Sequence, residues 1–190
     1  DGYPDLVLGN AGPNIILIND STGDFYDDTW NRLPVFNDIT QDVQAADLNG
    51  DGDIDLIFGN ENGNKLLHNN INGFFVDETN MRLPFLTFLN LETRKVTLGD
   101  LDDDGDNDIF LSNVQFIPNK DMKDKFFAND GNGNFVDVST KLTNLSLHTL
   151  DGILEDMDQD GDLDLITAHF PGQGYIAQEN DGSGNYSIAT

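Results

Sequence analysis

The chain has no cysteine among its 190 residues, so it has neither a disulfide frame nor a thiolate metal site. Basic residues are scarce: nine Lys and Arg stand against 35 Asp and Glu, a formal net charge of −26. That balance argues against nucleic acid and anionic lipid surfaces as partners, because both need basic side chains to neutralise phosphate. It points instead to cations, to basic partners or to a saline habitat. No apolar run approaches the length of a transmembrane helix, and no signal peptide opens the chain. Membrane insertion is therefore not expected, and a native secretion signal would lie upstream of Asp1. Apolar residues still make up 37% and aromatics 9%, enough to build a core and too much for a disordered acidic tail.

What the chain does have is a repeat. The pattern D-x-[DN]-x-D-G-x-x-D-[LI] occurs from Asp47 to Leu56, from Asp100 to Ile109 and from Asp156 to Leu165. Asp1, Gly2, Tyr3, Pro4, Asp5 and Leu6 form a fourth copy that lacks its first four positions. The Asp before the glycine falls at 1, 51, 104 and 160. A second landmark follows in each unit: an Asn, a Gly four residues later and an aromatic two after that. It reads Asn19/Gly23/Phe25, Asn69/Gly73/Phe75, Asn129/Gly133/Phe135 and Asn180/Gly184/Tyr186. Two unrelated patterns held in the same order four times establish the period.

Within a unit, short β-like runs alternate with turn residues. In the second, residues 42–46 feed the acidic loop, Leu56-Ile57-Phe58 leaves it as a buried-strand signal, and Leu66-Leu67-His68 and Phe74-Phe75-Val76 flank a hairpin turn. No window sustains a 3.6-residue apolar period, so helices are expected to be minor. Four short antiparallel strands per unit of about 50 residues is the arithmetic of an all-β propeller blade. The approximate units are 1–34 (partial), 35–87, 88–144 and 145–190. The third carries an extra stretch, 113–125, expected as a long surface loop.

The acidic loop has calcium chemistry. Calcium takes six to eight oxygen ligands in a flexible cage. Side chains at the first, third, fifth and ninth loop positions, with the seventh-position carbonyl, supply such a set. The glycine at the sixth position permits the sharp turn. The expected ligands are Asp47, Asn49, Asp51 and Asp55 with the Asp53 carbonyl; Asp100, Asp102, Asp104 and Asp108 with that of Asp106; and Asp156, Asp158, Asp160 and Asp164 with that of Asp162. In the first unit only Asp1, the Tyr3 carbonyl and Asp5 remain, so three complete sites and one truncated site are expected. An EF-hand would place Glu at the twelfth position, where this chain has Phe58, Leu111 and Thr167. An ordinary solvated turn is disfavoured, because each close like-charge pair costs about 1 kcal/mol even in water.

With Phe58-Gly59-Asn60 and Leu8-Gly9-Asn10 following the acidic loops, the pattern resembles the FG-GAP/VCBS repeat family, which includes the integrin α-subunit propeller. The resemblance covers essentially the whole chain. It implies a β-propeller with calcium in the hairpin loop between the first two strands of each blade, in an extracellular or cell-surface setting. Family propellers commonly have seven or eight blades, so this chain is expected to continue into a larger one.

The expected function is a non-catalytic calcium-braced module for adhesion or protein contact, with a protein or glycan ligand. The alternative is carbohydrate recognition, as a lectin or as part of a polysaccharide-active enzyme, for which Trp30 and Tyr175 are the candidate platforms, although both are expected first to pack between blades or at a rim. Catalysis has little to work with: His68, His148 and His169 fall in three different units, and only His169 lies in a turn position that invites a test.

Overall fold

The computed structural model describes residues 2–70, 73–84, 90–143, 146–172 and 174–189. Its strands are β1 (Leu6–Leu8), β2 (Ala11–Gly12), β3 (Ile15–Asn19), β4 (Phe25–Asp27), β5 (Asp38–Ala46), β6 (Asp55–Asn60), β7 (Lys65–Asn69), β8 (Phe75–Asp77), β9 (Thr93–Gly99), β10 (Asp108–Asn113), β11 (Lys125–Asn129), β12 (Phe135–Asp137), β13 (His148–Glu155), β14 (Asp164–Phe170), β15 (Gly174–Asn180) and β16 (Tyr186–Ile188). Among the described residues, helix is confined to single turns after the fourth strand of a unit: α1 (Thr29–Arg32), α2 (Thr79–Arg82) and a 3-10 turn over Ser139–Lys141.

Strands pair antiparallel in sequence order: β5-β6-β7-β8, β9-β10-β11-β12 and β13-β14-β15-β16. The first unit forms β1-β3-β4, while its two-residue β2 joins the edge of β5, with Ala11 opposite Ile39. The result is an all-β row of propeller blades, the fold expected from the repeat.

The second strand of each central blade is buried along its whole length, from Asp55 to Asn60 and from Asp108 to Asn113. Both its faces are covered, which is why these strands read as continuous apolar runs instead of alternating ones. Alternate residues serve different neighbours. Leu56 and Phe58 pack with Ile16, Ile18 and Leu33 of the first unit, whereas Ile57 packs with Val96, Ile109, Leu111 and Phe127 of the third. Phe110 turns the other way, to Leu165 and Tyr186 of the fourth. Each junction is thus a small core. Burying a Leu or Phe there contributes about 1.5–3 kcal/mol.

Close approach demands a glycine where one blade's second strand meets the next blade's first. A Cβ on Gly59 would lie 2.9 Å from Val96 Cγ2 and 3.1 Å from Thr93 Cγ2. Basic side chains clasp the junctions from outside. Arg32 donates to the Gly73 carbonyl, Arg82 to that of Asn132 and Lys141 to that of Ser183, each reaching the next blade's hairpin. A third device repeats at the single helical turns. Thr29, Thr79 and Ser139 accept the main-chain N–H of Ile16, Leu66 and Phe126 on their side-chain oxygens, tying each turn to its blade's third strand.

The extra stretch of the third unit is only partly a surface loop. Val114 is fully buried, Leu91 bridges to Asp121, and Asp124 is turned inward toward the fourth blade, where it accepts from Thr149.

Candidate metal centre

Each acidic loop is the hairpin between the first and second strands of a blade, 47–54 between β5 and β6, 100–107 between β9 and β10, and 156–163 between β13 and β14. The loop closes on its own first aspartate. Asp47, Asp100 and Asp156 accept the N–H of Gly52, Gly105 and Gly161 at 2.9, 2.9 and 3.2 Å. All three glycines have positive φ, between 89° and 106°, a conformation that a side chain would strain.

The ninth-position aspartate is the anchor. Its Oδ2 accepts the N–H of the second loop residue: Asp55 from Leu48, Asp108 from Leu101 and Asp164 from Met157, at 3.2, 2.9 and 2.8 Å. Its Oδ1 accepts the N–H of the hairpin asparagine: Asn69, Asn129 and Asn180, at 2.8, 2.8 and 2.9 Å. Those asparagines in turn donate their side-chain amides to the eighth-position carbonyls of Ile54, Asn107 and Leu163. The second sequence landmark therefore exists to hold the first. In the sequence these asparagines stand only as a repeat landmark, and the signal for their role is that one follows every acidic loop although the spacing varies from 14 to 21 residues.

The structure brings Asp100, Asp102 and Asp108 together, one oxygen of each within 4.8 Å of the others, and does the same for Asp156, Asp158 and Asp164. Asp104 and Asp160 lie outside those groups and instead accept the N–H of Asp106 and Asp162. The side chains of Asp106 and Asp162 lie against Gly131 and Gly182 of their own hairpins.

The second unit is arranged differently. Among the described residues, Asp47, Asp51 and Asp55 form no such three-carboxylate group. His68 stands in their midst, its Nδ1 3.0 Å from both Asp55 Oδ1 and Asn49 Nδ2 and its Nε2 3.8 Å from Asp51 Oδ2. The equivalent residues of the other units are Ile18, Ala128 and Glu179. In the first unit Asp5 keeps the anchor bond from the Asn19 N–H and Tyr3 is about half exposed, while Asp1 lies outside the described residues.

Electrostatics separate the loops further. Burial pushes the Asp108 carboxyl up to about 7, against the pull of the Asn129 and Leu101 N–H groups. Loss of solvent, then the neighbouring charge of Asp104, raises Asp102. In the second unit Asp51 is lowered, chiefly by the Asp53 N–H. Most telling is Asp102 Oδ1, which is wholly buried and has no hydrogen-bond partner. A buried carboxylate oxygen left unpaired is costly. An all-oxygen set with one such oxygen fits a hard divalent cation, and calcium's tolerance of irregular geometry suits a hairpin loop.

The other candidates also have places. Trp30 and Tyr175 do not pack between blades; they are 80% and 75% exposed. His148 stacks on Phe116 and accepts the Gln115 N–H. His169 has a buried Nδ1 with no partner, and burial lowers its pKa.

A family model described as an FG-GAP-like repeat matches residues 1–58, 47–111 and 100–167. No curated protein matches the chain. A solved structure of a lectin from Agrocybe aegerita, described as giving the structural basis of its specific recognition of non-reducing terminal N-acetylglucosamine, aligns over 100% of this chain with a TM-score of 0.54 and 20% identity. At that identity the likeness is one of fold. The chain spans 48% of the lectin's length. No described helix is long and apolar enough to cross a membrane.

Proposed function

We propose that this chain, which belongs to the FG-GAP-like repeat family, is a non-catalytic calcium-binding propeller module whose ions brace the blades for adhesion or protein contact outside the cell. The observation that carries the reading is the buried, unpartnered Asp102 Oδ1 within the Asp100–Asp102–Asp108 group. Asp100, Asp102, Asp104 and Asp108, with the Asp106 carbonyl, would hold one ion. Asp156, Asp158, Asp160 and Asp164, with that of Asp162, would hold a second. Asp47, Asn49, Asp51 and Asp55, with that of Asp53, would hold a third once His68 gives way. The bound ion supplies positive charge and fills the oxygens' coordination. The chain's own part is to hold those oxygens through the ninth-position aspartate and the hairpin asparagine.

Each ion stabilises the fold by mass action, about 1.4 kcal/mol at ten times its dissociation constant. The extracellular setting rests on the repeat family, and millimolar calcium there would fill even weak sites. Thermal unfolding with calcium and with excess chelator tests the reading. The melting temperature should fall on chelation, and an unchanged value refutes it.

Carbohydrate recognition is the second reading, favoured by the high exposure of Trp30 and Tyr175 and by the sugar that the Agrocybe aegerita lectin of similar fold recognises. Glycan-array binding that is lost in Trp30→Ala or Tyr175→Ala would support it. Binding untouched by both would remove those residues as platforms.

A further inference from the structure

We propose that the cation loops of successive blades are coupled through Asn129 and Asn180, so that an ion in one loop raises the affinity of its neighbours; this rests on the calcium reading above.

Each of these asparagines serves two loops. The Asn129 amide donates to the Asn107 carbonyl of its own loop at 3.0 Å and to the Leu48 carbonyl of the preceding blade's loop at 2.8 Å. The Asn180 amide repeats the arrangement, 3.2 Å from the Leu163 carbonyl and 3.1 Å from that of Leu101. Both inter-blade bonds are buried.

Joined to the anchor bonds, they make an unbroken relay. Asp55 accepts from the Leu48 N–H, and the Leu48 carbonyl accepts from Asn129. The Asn129 N–H donates to Asp108, which also accepts from the Leu101 N–H. The Leu101 carbonyl accepts from Asn180, whose N–H donates to Asp164. Three ninth-position ligands, one per loop, are thus linked through alternating backbone and amide groups. Within the relay the bonds of Asn129 and Asn180 cross from blade to blade, and at the second crossing the Tyr186 hydroxyl adds a longer bond to the same Leu101 carbonyl, at 3.4 Å.

The contacts around the relay leave it little slack. A Cβ on Gly133 would sit 3.3 Å from the Leu48 carbonyl oxygen, and one on Gly184 would sit 3.1 Å from that of Leu101. Lys141 reaches both the Ser183 carbonyl and Asp102, 2.7 and 3.7 Å away. Metal loop and following hairpin therefore order together. An ion that fixes the third unit's loop also fixes Leu101 on one side and, through Asn129, Leu48 on the other. A second ion then meets a loop that is already ordered, and shared ordering of this kind is positive coupling without any large movement.

The third unit's loop has a neighbour on each side, so its loss should be felt most. The test is calcium titration of the whole chain, followed by calorimetry and by the amide resonances of Gly52 and Gly161, which report the second and fourth units' loops separately. Asp104→Ala removes an exposed ligand oxygen outside the relay, where asparagine would keep one as Asn49 does in the second loop, and leaves the relay's bonds in place. The remaining sites should then bind calcium roughly fivefold or more weakly, the lower end of typical coupling. Unchanged affinities at both would overturn the coupling while leaving the calcium reading intact. No calcium uptake by the unaltered chain would overturn both. In an Asn129→Ala background, Asp104→Ala should weaken only the site reported by Gly161; weakening at Gly52 as well would overturn Asn129 as the carrier. Should that double variant fail to fold, the Asp104→Ala result alone decides.

Discussion

Asp124→Asn should stabilise the protein at neutral pH, and the reason lies in a row of polar groups that crosses the blades. Asn14 donates its amide to Thr40 Oγ1 at 3.0 Å, and Thr40 donates its hydroxyl to Asn60 Oδ1 at 2.8 Å. One blade on, Asn64 donates to Thr93 and Thr93 to Asn113, at 2.9 and 2.7 Å. At the next junction the asparagine is replaced by Asp124, and the direction reverses: Thr149 donates to the carboxylate at 2.7 Å. Thr149 lies opposite His169 in the sheet, as Thr40 lies opposite Asn60 and Thr93 opposite Asn113, yet the His169 Nδ1 is buried without a partner.

Burial pushes the Asp124 carboxyl from the ordinary 3.8 up to about 7, although Lys125 and the bonds from Asn113 and Thr149 pull the other way. A carboxyl raised in the folded state costs no stability below the unfolded value. The cost then grows as pH rises through the folded value. The full span corresponds to about 4 kcal/mol. Relaxation and the residual solvent contact of the site reduce the expected gain on neutralisation to about 1–2 kcal/mol. The asparagine would donate to Thr149 as Asn64 does to Thr93, freeing the Thr149 hydroxyl for His169. Urea unfolding of both proteins from pH 4 to pH 8, at fixed saturating calcium, measures the difference. It should be near zero at pH 4, grow through pH 5–7 and level off above. A difference that is flat with pH, or a variant less stable at pH 8, would refute the reasoning.

Gly59→Ala should destabilise by about 1–3 kcal/mol through overpacking, because the new methyl meets Val96 and Thr93 of the next blade; denaturant titration checks it, with Gly52→Ala as a comparison that acts through positive φ alone. Removing the His68 ring in His68→Ala releases Asp55 and clears the space beside Asp51. Calcium affinity at the second unit's loop should rise about tenfold, the worth of one hydrogen bond to a charged group, and calorimetry showing weaker binding there would mean that the ring acts as a ligand. Phe58→Ala opens a cavity between the first two blades where Phe58 packs edge-on against Phe36, and should cost about 3–5 kcal/mol in unfolding free energy.

Several features of this protein were legible in its sequence because they are local. Chain geometry within about ten residues dictates an acidic loop, its glycine turn and the strand that leaves it, so Asp47 to Leu56 and its two repeats announced both the period and the hairpin. The uninterrupted apolar run at Leu56-Ile57-Phe58 announced a strand covered on both faces. What the sequence could not assign was the partner of each side chain across a blade junction. Asn129 and Leu48 are 81 residues apart, and no spacing rule connects them. Thr149 and Asp124 meet only because an insertion carries a carboxylate to the place that asparagine holds in earlier blades. Likewise His68 reads in the sequence as the end of a strand, and the antiparallel pairing of β7 with β6 is what sets it against Asp55 and Asp51. Sequence alone therefore determined the repeat, the strands and the set of candidate ligand atoms. Tertiary structure decided which of those atoms converge, because convergence depends on how neighbouring strands and blades pack, and packing is a property of contacts that the chain makes only once it has folded.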